Sequence, residues 1–342
     1  MPGALSPECD QISAGKEVVG MSNVILDVDT GEDDALAIIL AANMQLDVRL
    51  VVSSYGNSTI ENTTRNTRAV VALAGLTTCP VFKGAAKPSQ QHPHFVGSSC
   101  EWESAAEMLG GDGLCGVELT PPDSVPLFAP PECERVERLA ELIRLHAPVR
   151  YIVTGPCTNL SELCEYFGSK IHDYISSASI MGGALEVPGN SGPRDSRSGK
   201  QRAEFNFYCD PFAVNVVLRS GLPIYMVPWD TTYRLTIPAS RVHSLRTHDE
   251  RTRFITGLMR RFFDLYGLKL DREFEFNDPA AVWLPVFAPG QFKERLVQAV
   301  TTADGFGGLV EHTNGAPVLF HSCESEWIDT IINELLARLE LV

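Results

Sequence analysis

Four aspartates, Asp27, Asp29, Asp33 and Asp34, fall within eight positions and are bracketed on both sides by apolar sequence. Val24-Ile25-Leu26 runs into them, and the helix-like run from Ala35 to Ala42 follows at once. A strand that ends in clustered carboxylates and passes directly into a helix sets several acids on one rim of an open α/β sheet. That rim is where ligands bind in such folds. Like charges this close repel and raise one another's pKa unless a proton or a cation intervenes. Ligands made only of oxygen suit a hard divalent ion, Ca²⁺ or Mg²⁺. A solvated acidic turn is the plainer alternative, and it fits poorly with acids set between apolar flanks.

The rest of the chain keeps the same rhythm. Val48–Ser53 reads as a strand before the helical stretch Ile60–Ala74, and Arg150–Val153 as a strand before Asn159–Phe167. Ala178–Met181 is followed by a helix over Pro211–Ser220 and a strand over Ile224–Val227. Thr247–Leu270 reads as a long helical region, and Glu324–Leu341 carries Ile328, Ile331, Ile332, Leu335, Leu336 and Leu339 at helical spacing. Alternation of this kind predicts right-handed βαβ crossovers. The expected fold class is α/β: an open, mostly parallel central sheet flanked by helices, with a Rossmann-like core. Residues 1–22, with Pro2, Gly3, Pro7, Gly15 and Gly20, read as a flexible leader. Residues 23–342 read as a single domain with loop insertions near 87–131 and 187–202, where the periodicity fails.

Composition narrows the function classes. A chain of 342 residues with 44% hydrophobic and 21% charged residues can bury a large core. The formal net charge of −15 leaves no basic excess to neutralise phosphates, so nucleic acid is not an expected partner. Nine cysteines without a CxxC pair read as reduced thiols. With no signal-like leader and no apolar run long enough for a bilayer, the expected address is cytoplasmic and no membrane partner is expected.

Further polar groups follow the other predicted strands. They are Asn57 after Ser53-Ser54-Tyr55-Gly56, Thr154 before Gly155-Pro156, and Gly182-Gly183 after Met181. Asn190, Glu204, Asn206 and the pair Asn277-Asp278 add amides and acids in apolar surroundings. Each has an ordinary explanation: Asn57 as a turn former, Asn159 or Asp278 as a helix N-cap, Glu204 as an exposed charge.

Taken in order, these segments resemble the inosine/uridine-type nucleoside hydrolases. Asp27 to Ala35 match that family's opening D-x-D-x-G-x-D-D-A, with Thr30 in place of the usual proline. Gly56-Asn57, Thr154-Gly155-Pro156 with Thr158-Asn159, Met181-Gly182-Gly183 and Gly189-Asn190 follow in sequence. Glu204-Phe205-Asn206 with Asp210-Pro211, and Asp278-Pro279-x-Ala281, complete the series. The resemblance implies a nucleoside N-ribohydrolase, with a nucleoside as its small-molecule partner and a homodimer or homotetramer as its assembly. It implies one Ca²⁺ on Asp29, Asp34, the Thr154 carbonyl and Asp278, with a cation-bound water as nucleophile and Asp29 as general base. It places Asp33 and Asn57 at the ribose 2′-hydroxyl, and Asn190, Glu204 and Asn206 at the 3′- and 5′-hydroxyls. Carboxylates so placed suit the oxocarbenium character of N-glycoside cleavage.

The base end departs from the family pattern. Asn277 stands where many members have a histidine before Asp-Pro, and Leu109 stands where a second histidine precedes the Gly-x-x-Gly loop near Gly110–Gly113. Trp102 lies about where purine-preferring members stack a tryptophan on the base, so a weak purine preference is expected. His92, His94 and His248 are the candidate proton donors, and spacing selects none of them. Two rivals stay in view. In a haloacid-dehalogenase-type phosphatase Asp27 would be nucleophile and Asp29 acid/base, but Gly111-Asp112-Gly113 comes out of order for its last motif. The other is a non-catalytic nucleoside- or sugar-binding protein on the same scaffold.

Overall fold

The computed structural model describes residues 23–90, 92, 95–96, 99–100, 110–117, 119–194, 198–267, 273–302 and 305–342. Among them, ten strands make one sheet: β1 (Asn23–Val28), β2 (Asp47–Ser53), β3 (Val81–Lys83), β4 (Leu127–Phe128), β5 (Val149–Val153), β6 (Ile175–Met181), β7 (Ile224–Val227), β8 (Phe292–Ala299), β9 (Leu309–Glu311) and β10 (Ala316–His321). Their spatial order is β9-β8-β10-β7-β6-β5-β1-β2-β3-β4. The pairs from β4 across to β10 are parallel, and β8 runs antiparallel to both of its neighbours.

The chain lays β2, β3 and β4 outward on one side of β1, then crosses to β5 on the other side. The β1–β5 boundary is therefore the topological switch point, the crevice where open α/β sheets take ligands. Asp29 and Thr154 lie just past the carboxyl ends of these two strands.

Alternation along β1 separates the two faces. Val24, Leu26 and Val28 join one buried cluster and Ile25 the other. The first face is covered by α1 (Glu32–Asn43), α7 (Glu250–Phe262), α8 (Asn277–Phe287) and α9 (Ile328–Arg338). The second is covered by α3 (Arg135–His146), α4 (Thr158–Phe167) and α6 (Pro211–Leu218). Helix α2 (Ile60–Leu73) follows β2, and the short α5 (Phe205–Cys209) precedes α6. The helical region expected over Thr247–Leu270 is α7 followed by a π turn over Phe263–Gly267.

Helices α1 and α8 are buried on nearly every side and pack on each other. An all-round apolar helix has no polar face to reveal it, which is why periodicity does not pick out α8. It also carries Pro285 inside. A proline removes the N–H that would have bonded the carbonyl four residues back, at Ala281. The Ser179 hydroxyl on β6 supplies that bond instead, at 2.7 Å. The segment 187–202 likewise holds an antiparallel ribbon of Ser191–Arg194 and Gln201–Ala203. No helix is long and apolar enough to cross a membrane among the described residues.

Candidate active site

Both buried helices start at the switch point, and each brings acids in its first turn. Glu32, Asp33 and Asp34 open α1, and Asp278 opens α8. Helix N-termini carry partial positive charge and tolerate anions. Carboxylate oxygens of Asp33, Asp34 and Asp278 lie within 4.8 Å of one another, Asp34 and Asp278 buried and Asp33 half-buried.

Asp34 is held on all sides by donors. Its Oδ2 accepts the Gly31 amide at 3.0 Å and Asn57 Nδ2 at 3.2 Å, and its Oδ1 accepts the Thr154 hydroxyl at 2.7 Å. Asp29 is 1% exposed, and its Oδ2 accepts the Asn57 amide at 2.7 Å. Its Oδ1 is buried and meets no hydrogen-bond partner among the described residues. On two sides the backbone comes close. Gly56, at φ +151°, approaches so near that a Cβ would stand 1.9 Å from Asp29 Oδ2. A Cβ on Gly155 would stand 2.9 Å from Oδ1.

Burial, and then the charge of Asp34, push Asp29 well above the ordinary carboxylate range. Burial with Asp34 beside it raises Asp33 to about 7. Burial raises Asp34 as well, and burial with Asp33 and Asp34 raises Asp278. An oxygen-only set that repels itself and includes a buried carboxylate oxygen without a partner fits a hard cation.

These shifts carry a sign for stability. Folded pKa values above the unfolded value near 4 mean that the folded state holds the extra protons. That contribution is complete below the unfolded pKa and is lost as pH rises through about 7, where Asp33 titrates. Chelated protein should therefore melt several degrees lower at pH 8 than at pH 5, and added Ca²⁺ should remove most of the difference. Differential scanning calorimetry at the two pH values checks this. An unchanged or opposite trend would mean that the acids are not held together as described.

The remaining expected residues fall as follows. The Thr154 carbonyl accepts Asn206 Nδ2 at 2.7 Å, and the same nitrogen lies 3.3 Å from the Met181 carbonyl. Glu204 is buried rather than an exposed charge and caps α5. Its Oε1 accepts the Asn206 amide at 2.9 Å, and its Oε2 those of Gly183 at 2.9 Å and Phe207 at 3.2 Å. Burial lifts its pKa to about 6 against those bonds. Asn190 is half-buried beside the ribbon, and its Oδ1 accepts the Ser191 hydroxyl at 3.1 Å. Asn277 turns its Nδ2 toward Asp33 Oδ2 at 3.3 Å and Glu275 Oε2 at 3.5 Å. Thr30, at the position of the family's proline, shares a 2.7 Å hydrogen bond with the Thr67 hydroxyl on α2.

Trp102, Leu109 and His94 lie outside the described residues. His92 Nε2 pairs with the Tyr208 carbonyl at 2.8 Å, its ring set edge-on to Tyr208 and Phe306. His248 is exposed, 3.6 Å from Glu340. Glu32 is a site residue that sequence reasoning missed. Its Oε2 is buried without a partner among the described residues, and burial with Asp33 alongside raises its pKa. Its place in the acidic first turn of α1 was the available signal. Asp27 is fully buried, taking the Tyr151 hydroxyl at 3.0 Å and Asn159 Nδ2 at 2.9 Å. A carboxylate so enclosed is no phosphatase nucleophile.

Fold and site together define an α/β protein whose switch point gathers acids able to hold a cation, with amides beside them. The sequence profile described as inosine-uridine preferring nucleoside hydrolase matches residues 24–326, and the chain belongs to that family. The pyrimidine-specific ribonucleoside hydrolase RihA of Photobacterium profundum is 34% identical over 267 residues, 76% of this chain and 79% of that protein. The protein of the same name from Escherichia coli is 38% identical over 216 residues, 63% of this chain and 62% of its own length. In fold, the purine-preferring ribonucleoside hydrolase from Gardnerella vaginalis superposes with a TM-score of 0.76 at 23% identity, over 93% of this chain and 98% of that one. The chain is thus an enzyme, a nucleoside hydrolase acting on N-glycosyl compounds. Both the phosphatase and the non-catalytic alternatives are set aside.

Proposed function

We propose that the chain cleaves the N-glycosidic bond of ribonucleosides to free base and ribose, with Asp29 as general base and Ca²⁺ as its cation. The observation that carries this is the buried, unpartnered Asp29 Oδ1 next to the mutually repelling Asp33, Asp34 and Asp278. Asp29, Asp34, Asp278 and the Thr154 carbonyl would hold the ion, and six to eight oxygen ligands is the coordination Ca²⁺ accepts. When bound, such an ion offsets the negative charge and acidifies a water. Asp29 would be placed to accept a proton at its unpartnered Oδ1. Asp33 and Asn57 orient the ribose near its 2′-hydroxyl, and Asn190, Glu204 and Asn206 orient the 3′- and 5′-hydroxyls. Asn206 meets the sugar through Oδ1, because its Nδ2 is committed to Thr154 and Met181. Carboxylates around the ring stabilise the positive charge that develops there.

At the base end the proposal is a purine. Asn277 is an amide with its nitrogen turned toward two carboxylates, so it offers no proton to a departing pyrimidine. Trp102 is the residue proposed to stack on the base. The opposite reading, a pyrimidine substrate, is favoured by the names of the two RihA relatives. A panel of inosine, guanosine, uridine and cytidine compared by kcat/KM decides between them. Purines should win, and Trp102→Ala should lower purine kcat as well as kcat/KM. A uridine or cytidine lead, or a Trp102→Ala enzyme equal to wild type, would overturn the purine proposal. A homo-oligomer and a cytoplasmic address complete the proposal. The first rests on the family and the second on nine cysteines without a CxxC pair, and sedimentation equilibrium tests the first.

A further inference from the structure

Arg135 starts α3 and is only 4% exposed. Its guanidinium reaches Glu162 at 2.6 and 2.7 Å and Glu132 at 3.0 Å. Nη1 also donates to Asn159 Oδ1 at 3.3 Å, and the same oxygen accepts the Ala85 amide at 2.8 Å. Two donors at the oxygen end decide which way the Asn159 amide faces. Its nitrogen end is thereby presented to Asp27 Oδ1 at 2.9 Å.

The chain of contacts continues into the site. The main-chain carbonyl of Asp27 accepts the Thr154 amide at 2.8 Å and the Gly155 amide at 3.4 Å. Gly155 is the residue on which a Cβ would stand 2.9 Å from Asp29 Oδ1. There is little slack on the far side either, since a Cβ on Gly84 would meet Asn159 Oδ1 at 2.6 Å. A buried ion cluster is a poor source of net stability compared with apolar packing of the same volume. What the planar guanidinium supplies is several fixed directions at once, which a lysine does not.

We propose that Arg135 is a positioning residue for the hydrolytic site: by fixing the Asn159 amide it sets Asp27, and through the Asp27 main chain it sets Thr154 and Asp29. The inference rests on Asp29 and Thr154 being the working groups named above. Misplacing a reacting group by about 1 Å costs about 10²-fold in rate, so a small loosening is visible in kcat.

The test is a cycle on the full chain with Ca²⁺ present, using Arg135→Lys, Asn159→Ala and the double variant. Arg135→Lys should lose about tenfold or more in kcat while KM for the preferred nucleoside stays within about threefold. Adding it to Asn159→Ala should cost less than about twofold further, because both act through one contact. Wild-type kcat in Arg135→Lys, or losses that multiply in the double variant, would overturn the proposal. Should Arg135→Lys not fold, Glu162→Gln keeps an acceptor while releasing one anchor. It should lower kcat by about threefold at constant KM, and an unchanged kcat would overturn the proposal equally. A wild-type enzyme inactive on every nucleoside would overturn the functional reading, and this inference with it.

Discussion

Asp29→Asn is expected to fold like the wild type and to lose about 10²–10⁴-fold in kcat, the range a positioned base contributes. Asparagine keeps one oxygen for the Asn57 amide, which now bonds Asp29 Oδ2 at 2.7 Å. It also removes a buried carboxyl group whose ionisation Asp34 and Asp33 oppose, so the chelated variant should not melt below chelated wild type. With Ca²⁺ saturating, the nucleoside KM should change far less than kcat, because the base acts in the transition state, while the loss of one charged ligand should also weaken Ca²⁺. Steady-state kinetics beside a thermal melt reads both quantities. Near wild-type turnover would move the base role to another carboxylate of the cluster.

Asp34→Asn should act through the cation instead. The Asp34 oxygens face three donors, from Gly31, Asn57 and Thr154. An amide there either sets its nitrogen against the Gly31 and Asn57 donors or forces the Thr154 hydroxyl to turn round and accept. Loss of a charged ligand together with that mismatch should weaken Ca²⁺ by about 10²-fold or more, with activity falling in parallel and partly returning at high Ca²⁺. Isothermal titration calorimetry measures the affinity without reference to turnover. Equal affinity in variant and wild type would remove Asp34 from the ion's ligands.

Local features are the legible ones. The aspartate cluster reads from the sequence because one strand end and one helix start hold all four acids. The parallel strands read because strand and helix alternate with regular spacing. Only the start of helix α8 reads, from Asp278 as an N-cap, since Pro285 argues against its continuing. Pro285 frees the Ala281 carbonyl, and Ser179, distant in sequence, bonds it. The ribbon of Ser191–Arg194 and Gln201–Ala203 carries no strand-like alternation and is defined by its own antiparallel pairing.

Within the site, residue types are legible but their commitments are not. Glu204 admits an exposed-charge reading, yet it is buried, and its oxygens hold the backbone amides of Asn206 and Phe207 in α5 and of Gly183 after β6. Thr154 stands out for its carbonyl, yet its hydroxyl also binds Asp34. Asp27 sits in the same motif as Asp29, but its side chain is tied to Tyr151 and Asn159. The contacts of Thr154 and Asp27 join residues more than a hundred positions apart, and no local pattern encodes them.

The most direct test of the whole account is ribose release from a nucleoside by the purified chain, before chelation, after chelation and after Ca²⁺ is returned. Reducing sugar should accumulate in the first sample, stop in the second and resume in the third. Undiminished release in excess chelator would contradict the cation-dependent site built on Asp29, Asp34 and Asp278, and so would failure of Ca²⁺ to restore release to protein that remains folded.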